Sequence, residues 1–194
     1  MKQKTDLRII KTNLNIRNAF IQLLNEKSFD SITVQNILDR ALINRSTFYK
    51  HYSDKYDLLE SITKDFLDKF KSLIDVRFSN KEDINGLLKN MDKVYESFYE
   101  EKFTILALWK VRTEKIDVYE DMQTTLKEKY IEFANGYTKE NSNIDYQACI
   151  FSSIVLTTLK FIMESNKIYT AHEIVQEEQN YIKIITNTFK KDIY

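Results

Sequence analysis

The chain has 194 residues, 29 basic and 29 acidic side chains, 43% hydrophobic residues, no proline and two glycines. This composition is typical of a soluble globular protein, and the scarcity of helix breakers favours long helices over a β-rich fold. A single cysteine, Cys149, excludes an intrachain disulfide and a thiolate zinc site, and two distant histidines leave no paired-histidine metal motif.

The net charge of zero is unevenly distributed along the chain. Residues 1–55 contain ten Lys and Arg against five Asp and Glu, and the remainder has an acidic excess. A basic segment on a neutral protein indicates a surface that faces nucleic acid, although chance asymmetry is the alternative. The N-terminus lacks an apolar signal core, and the longest uncharged stretch is shorter than the ~20 residues of a membrane span. We therefore expect a cytoplasmic protein with no membrane segment.

The first quarter of the chain predicts one long amphipathic helix followed by two short helices. Residues 1–8 are expected to be a frayed tail, or alternatively an arm for the minor groove. Apolar residues at helical spacing then predict a helix over 8–27. Thr33 is a good N-cap for a second helix and Asn44 for a third, with Leu42 and Ile43 in the turn between them. Two helices joined by so short a turn are typical of the helix-turn-helix, whose second helix enters the major groove of DNA.

The rest of the chain predicts longer helices. Ser53 caps a helix from Asp54 to about residue 75. Further helices are predicted over 83–101, 103–112, 118–137, 146–165 and 171–192, with a linker at 140–145. The predicted fold is therefore all-α, with about nine helices. A helix-turn-helix DNA-binding domain is expected at 1–55 and a helical dimerisation and ligand-binding domain at 56–194.

The third helix carries side chains suited to contacting DNA. Arginine can donate two hydrogen bonds to guanine and a threonine methyl can contact thymine, so Arg45 and Thr47 are predicted to face base edges. Ser46 can contact a base or a phosphate. The full set of predicted DNA-binding residues is Thr33, Gln35, Asn44, Arg45, Ser46, Thr47, Tyr49, Lys50, His51 and Lys55.

This stretch, RALINRSTFYKHYSDKYDLL, resembles the tetracycline-repressor (TetR/AcrR) family of bacterial transcriptional regulators. The positions that carry the resemblance are Ala41, Ile43, Asn44, Thr47, Tyr49, His51, Tyr52, Lys55 and Leu58. The resemblance covers roughly residues 8–60, and beyond them it extends only to helical layout and length. It implies a homodimer on palindromic double-stranded DNA, and a ligand cavity among the C-terminal helices.

Leu42, Ser46 and Lys55 each bring particular chemistry to this stretch. Leu42 stands where the family usually has a turn glycine, and because leucine disfavours positive φ the turn is expected to differ slightly. Ser46 replaces a second glycine and adds a hydroxyl donor near the bases. Lys55 opposes the macrodipole of its helix, a cost that a DNA phosphate would reverse. In the family the matching lysine contacts a phosphate.

The C-terminal helices predict a dimer. Residues 146–165 are apolar on nearly every side, so one side is expected to face the chain's own core and the other a second copy. The predicted interface residues are Phe151, Val155, Leu159, Ile162, Tyr181, Ile185 and Phe189. Cys149 lies on the same helix and is expected to be an inert core thiol.

Nine aromatic residues between Tyr95 and Tyr137 predict either ordinary core packing or an apolar ligand pocket. The candidate ligand-binding residues are Tyr95, Phe98, Tyr99, Phe103, Trp109, Arg112, Tyr130 and Phe133. Arg112 could pair with an acidic group on a small apolar or aromatic ligand.

The sequence therefore predicts a DNA-binding transcriptional regulator, a dimeric repressor that a small molecule releases from a palindromic operator. The alternative is a DNA-bound dimer that acts through a protein partner without a small-molecule ligand. An enzyme is not expected, since there is no Gly-rich phosphate loop, nucleophile motif or metal cluster, and no cofactor is predicted.

Overall fold

The computed structural model describes residues 2–79, 84–134 and 143–191, and side chains within 7–75, 86, 88–134 and 143–187. Over these residues the fold is all-α, as predicted, and its one bridge joins Arg112 to Asp117. The described helices are α1 (Lys2–Glu26), α2 (Val34–Ala41), α3 (Arg45–Phe48), α4 (Lys55–Ser79), α5 (Ile84–Glu100), α6 (Lys102–Leu108), α7 (Val118–Ala134), α8 (Ile144–Glu164) and α9 (Ala171–Lys191). A 3-10 turn at Phe29–Ser31 precedes α2.

The chain forms two compact units. The first contains Met1–Ser72 and Phe103–Thr125, and the second contains Leu73–Lys102 and Leu126–Tyr194. The helices α4 and α7 each contribute residues to both units. The predicted boundary after residue 55 concerns functional domains, which compactness does not measure, so it stays a prediction.

Several predicted helix ends differ from the observed ones. α1 begins at Lys2, where the prediction has a frayed tail, because residues 2–8 contain no glycine or proline to oppose a helix. α6 ends at Leu108, because Lys110 and Val111 donate to carbonyls only three residues back. Of the predicted linker, Asn143 is instead the N-cap of α8, and 140–142 lie outside the described residues.

The first unit has an aromatic core. Phe20, Phe29 and Phe48 are buried, and the rings of Phe20 and Phe29 meet edge to face at 6.2 Å. Phe48 and Tyr52 are both buried. The inner face of α3 therefore packs in the core. As a result, the opposite face of this short helix is directed toward solvent.

The second unit packs α5 against α8 and α9. Its core includes Phe98, Leu156, Ile162 and Ala171. α8 is long and apolar enough to cross a membrane by length and composition, but a core helix of a soluble protein passes the same test.

α9 begins with a reciprocal pair of cap hydrogen bonds. The Glu173 amide donates to the Thr170 hydroxyl at 3.2 Å, and the Thr170 amide donates to the Glu173 carboxylate at 2.9 Å. The Lys167 ammonium also donates to that carboxylate, at 2.6 Å. The Lys167 hydrogen bond, with those from Thr170, lowers the pKa of Glu173 from 4.5 to about 2.

We expect Glu173→Gln to lower the thermal unfolding midpoint at neutral pH and to have little effect near pH 2. The folded-state pKa of Glu173 lies below its unfolded value, so its contribution to stability is present above about pH 4.5 and is lost as pH falls toward 2. Circular dichroism melts of both proteins across this range measure the difference. Glu177→Gln, at an exposed position one turn along α9, is the control. A gap between midpoints that persists at pH 2 would contradict the expectation.

Candidate nucleic-acid interface

The first turn of α2 is closed by a capping box. The Thr33 hydroxyl accepts a hydrogen bond from the Asn36 amide at 3.2 Å, and the Asn36 side chain accepts one from the Thr33 amide at 3.1 Å. The Lys27 ammonium donates to the same Asn36 oxygen at 2.6 Å. Gln35 points along the exposed face and donates to Asp39 at 2.8 Å. Thr33 and Gln35 are thus both on the exposed surface at the start of α2.

The turn between α2 and α3 has the geometry that a glycine would give it. Leu42 has φ 54° and ψ 45°, and it is the one described residue other than glycine with positive φ. Its amide and that of Ile43 both donate to the Leu38 carbonyl, which closes the end of α2. The expectation that leucine alters this turn is therefore wrong. The hydrogen bonds hold the backbone in place, and the Leu42 side chain is 91% exposed.

Asn44 fixes the start of α3 through one oxygen atom. Its side-chain oxygen accepts from the Thr47 amide at 2.8 Å, the Thr47 hydroxyl at 2.7 Å and the Ser46 hydroxyl at 2.8 Å. Both hydroxyl hydrogens are thereby directed toward Asn44. The Ser46 and Thr47 hydroxyls therefore keep only acceptor lone pairs for any further partner. Ser46 is not the free donor that its sequence position indicates.

The outer face of α3 and the following turn is cationic and aromatic. Arg45 is exposed in the first turn of α3, with its guanidinium 6.0 Å from the centre of the Tyr49 ring. Tyr49 is half exposed and packs edge to face on Phe48 at 5.5 Å. Lys50 is exposed and His51 is half-buried beside Tyr52. The predicted residues between 44 and 51 are thus exposed or half-buried, with buried Phe48 beneath them.

Lys55 differs from the expectation that its ammonium group is available to DNA. Its Nζ donates to the backbone carbonyls of Phe29, Asp30 and Ile32 at 3.0, 3.1 and 2.9 Å. It also lies 4.5 Å from the centre of the Phe29 ring. An ammonium group has three donors, so these carbonyls can use all of them. The carbonyls supply the negative partner that the prediction assigned to a phosphate, and Lys55 joins α4 to the turn before α2.

Ion pairs and hydrogen bonds connect α1 to α2, to α4 and to the turn after α3. Arg17 forms an ion pair with Asp65 at 2.6 Å, and the Tyr52 hydroxyl donates to Asn13 at 3.0 Å. Arg40 donates to both oxygens of Glu26, at 2.8 and 2.7 Å. The hydrogen bond with Arg40 lowers the pKa of the Glu26 carboxyl. Sequence reasoning missed these contacts, because the partners are far apart in the chain and no helical spacing relates them.

The candidate ligand-binding residues are distributed over both units. Tyr95 and Phe98 are buried in the second unit, where Tyr99 is half-buried beneath the Lys102 ammonium group. Also in the second unit, the Tyr130 hydroxyl donates to Gln147 at 3.0 Å, and the exposed Phe133 lies one turn further along α7.

The other three candidates belong to the first unit. The Trp109 indole donates to the Met122 sulfur at 3.2 Å, and Phe103 is 69% exposed. Arg112 pairs with Asp117 at 3.2 Å, so its guanidinium already has an acidic partner within the chain. The eight candidates as a ligand-binding set stay a prediction.

The predicted dimer residues occupy two faces of α8. Leu159 and Ile162 are buried inside the second unit, which differs from the prediction that they face a partner. Phe151 and Val155 are half-buried, so their predicted place in the interface stays a prediction. When a helix is apolar on all sides, its sequence pattern does not indicate which side faces the core and which side faces outward. The apolar residues that α8 does expose are Tyr146, Ile150, Ile154 and Phe161.

On α9, Tyr181 is exposed and Ile185 is half-buried, and the Phe189 side chain lies outside the described residues. Ile182 and Ile184 are further exposed residues of this helix. Cys149 is exposed on α8, so the prediction of a core thiol is wrong.

Two short helices joined by a tight turn, with polar and cationic side chains on the outer face of the second, define a helix-turn-helix protein. Comparisons with known proteins agree. Residues 16–62 match the family model for bacterial regulatory proteins of the tetR family. The uncharacterized HTH-type transcriptional regulator YxbF of Bacillus subtilis (strain 168) is 34% identical over 62 residues. That alignment covers 31% of this chain and 16% of YxbF, so the chain spans about a sixth of its curated relative.

Solved structures resemble the chain over most of its length. A TetR transcriptional regulator from Streptococcus agalactiae 2603V has a TM-score of 0.60 and 25% identity, over 91% of this chain and 96% of that one. A SmeT–triclosan complex has a TM-score of 0.60 and 18% identity, over 79% and 80% of the two chains. These comparisons support a regulator of the tetR family, with the family-model match confined to residues 16–62.

We expect Leu42→Gly to raise the free energy of unfolding by up to about 1 kcal/mol. Glycine removes the ~1–2 kcal/mol cost of a left-handed residue with a Cβ, but it adds ~0.5–1 kcal/mol of chain entropy to the unfolded state. Urea unfolding measures the difference. Leu42→Ala is the control, because it removes the exposed apolar side chain and keeps the Cβ. An equal gain from both variants would show that exposure of leucine, and not backbone strain, is the cause.

Proposed function

We propose that this protein is a dimeric transcriptional repressor that binds a palindromic DNA operator through α3 and is released by a small molecule. The observation that carries the DNA-binding part is the surface at residues 44–51. Asn44 caps α3 and buried Phe48 anchors it, while Arg45, Ser46 and Thr47 occupy its outward-facing first turn. This is the end of a recognition helix that meets base edges in the major groove.

The roles divide according to chemistry. Arg45 pairs with guanine through two hydrogen bonds, and the Thr47 methyl group contacts thymine. Ser46 accepts from a base donor, since its own hydrogen is directed to Asn44 at 2.8 Å. Tyr49, Lys50 and His51 follow on the same surface and hold phosphate oxygens, and Thr33 and Gln35 contact the backbone from the start of α2.

We expect Arg45→Ala to weaken specific binding by about 1–3 kcal/mol and to relax the preference at one base pair. Lys50→Ala should weaken binding to all sequences and reduce the salt slope by about 1. Gel shifts on DNA from upstream of the protein's own gene, repeated at several salt concentrations, separate the two effects. If neither variant differs from wild type, α3 does not occupy the groove.

The variant Lys55→Ala distinguishes between two roles of Lys55, a contact with a DNA phosphate and a set of hydrogen bonds within the protein. With three carbonyls left without their charged partner, we expect the variant to lose about 1–3 kcal/mol of stability. Its salt slope should stay at the wild-type value when binding is measured well below its melting temperature, in contrast with Lys50→Ala. A lower slope with unchanged stability would restore the phosphate role of Lys55.

The dimer part of the proposal is supported by the exposed apolar residues of α8 and α9. Tyr146, Ile150, Ile154 and Phe161 recur at helical spacing along α8, and Tyr181 and its neighbours extend the apolar character to α9. A two-fold axis through such a surface would form a bundle of four helices, two from each subunit. The two DNA-binding domains of such a dimer would then contact half-sites about 34–36 Å apart or at a multiple of that distance.

We expect Ile154→Glu to convert the dimer to a monomer at micromolar concentration. A two-fold axis would bring two new carboxylates into one apolar interface, where their desolvation and repulsion oppose association. Analytical ultracentrifugation measures the mass. Asn18→Glu, which adds the same charge at an exposed position of α1, is the control and should leave the dimer intact. A wild-type monomer under these conditions would overturn the dimer itself.

Release by a small molecule is supported by the aromatic residues of the helical region and by the triclosan in the similar SmeT complex. A ligand can release DNA only if it binds the DNA-free state more tightly than the DNA-bound state. Footprinting upstream of the gene, with and without cell extract or candidate metabolites, tests this part. A footprint that persists in every extract favours a regulator that acts through a protein partner.

A further inference from the structure

A cleft lies wholly within the first unit, between α4 and the segment that joins α6 to α7. Its volume is about 740 Å³, within the usual range of small-molecule sites. One wall consists of side chains of α4, including Tyr56, Glu60, Thr63 and Leu67. The other wall is the segment from Arg112 to Ile116, together with Asp121 of α7.

The loop wall is held by its own hydrogen bonds. The Thr113 amide donates to the Ile116 carbonyl at 2.9 Å, and the Thr113 hydroxyl accepts from the Ile116 amide at 3.0 Å. The ion pair between Arg112 and Asp117 closes the base of the turn. The loop therefore forms a defined wall before any ligand binds, which lowers the entropic cost of binding.

Thr63 supplies a polar group without a partner. Its residue is 5% exposed, and its hydroxyl is the one buried side-chain polar atom of the described residues that has no hydrogen-bond partner. Buried polar groups are nearly always hydrogen-bonded, so an exception needs an explanation. Thr63 lines the cleft while its hydroxyl is covered, so a rotation of the side chain that turns the hydroxyl into the cleft would let a bound molecule provide the missing hydrogen bond.

The charge of the cleft is negative. Five acidic residues line it against three basic ones, and Arg112 is already neutralised by Asp117. Among the described residues no ion pair involves the carboxylates of these five acids, which are Asp30, Glu60, Asp68, Glu114 and Asp121. Burial, and then the neighbouring Asp117 and Glu120, raise the pKa of Asp121, so a cation beside it would be stabilising.

We propose that this cleft binds a small organic cation, with an ammonium group at the Glu60 and Asp121 side and an apolar body against Tyr56, Leu67 and Ile116. The Thr63 hydroxyl completes the site by a hydrogen bond to the ligand. This site is separate from the aromatic residues predicted as a ligand pocket, with which it shares only Arg112.

The position of the cleft connects it to the DNA-binding surface, a consequence that rests on the proposed function. Tyr56 lines the cleft and packs edge to face on Phe29 at 5.1 Å, beside the carbonyls that hold Lys55. Asp30, whose carbonyl also accepts from Lys55, lines the cleft too. A ligand that moves Tyr56 or Asp30 therefore acts on the contact that joins α4 to α2.

Calorimetric titration with three probes of similar shape tests the site without DNA. The probes are 1-naphthylmethylamine, the neutral 1-naphthalenemethanol and the anionic 1-naphthoate. We expect the amine to bind at least about tenfold more tightly than the alcohol, and the anion most weakly. In the double variant Glu60→Gln, Asp121→Asn this preference should fall to about twofold or less. Glu128→Gln, an exposed position of α7 outside the cleft, should keep the full preference.

Thr63 is tested by two substitutions with opposite outcomes. Thr63→Val should raise the thermal midpoint of the free protein, since it removes the unpaired hydroxyl, and it should weaken binding of amine and alcohol alike. Thr63→Ser should retain binding. Equal affinity for all three probes, an amine preference that survives the double variant, or no effect of Thr63→Val on binding would each overturn the site.

The link to DNA is measured separately, by gel shift with and without 1-naphthylmethylamine. Linkage requires the amine to bind more weakly to the DNA complex by the same factor as it weakens DNA binding. Tight binding of the amine with unchanged DNA affinity would overturn the link and leave the site standing. Absence of DNA binding in every condition would overturn the proposed function, and the titrations would still decide the site.

Discussion

The contact between Lys55 and the turn at residues 29–32 is the one on which the arrangement of the DNA-binding region depends. The first turn of a helix is a poor place for a cation, because the macrodipole and the free amides repel it. Three inward-facing carbonyls at 2.9–3.1 Å offset that repulsion. Their chain segment lies directly before Thr33, the cap of α2. The start of α4 thus fixes where α2 begins, and through the short turn it fixes where α3 points.

Local chemistry made much of this region predictable from sequence. The caps at Thr33 and Asn44 depend on residues three positions away, and burial of Phe48 follows from its place opposite the exposed polar side chains. Lys55 was not predictable in the same way, because its partners are backbone carbonyls 23 to 26 residues earlier. A sequence indicates that a lysine needs a negative partner, but it does not show whether a phosphate or a carbonyl provides it.

Two further differences have distinct physical causes. At Leu42 the intrinsic preference of leucine is weaker than the sum of the hydrogen bonds that close α2 and the burial of the helices on either side, so the backbone takes the glycine conformation. On α8 the hydrophobic pattern has no polar face, so periodicity identifies a helix without its orientation. Only packing against α5 shows that Leu159 faces inward and Ile154 outward.

Leu42 and Thr63 are both unfavourable local features, and both lie in the first unit. They differ in what offsets them. The left-handed backbone at Leu42 lets two amides reach the Leu38 carbonyl, so the strain is compensated within the turn itself. For the Thr63 hydroxyl, no protein group described in the structure provides a compensating hydrogen bond. Strain of the first kind is a cost of folding this turn. The unpaired Thr63 hydroxyl, in contrast, can still gain a hydrogen bond from a molecule in the cleft, which would stabilise the bound state. Such uncompensated groups are typical of binding sites.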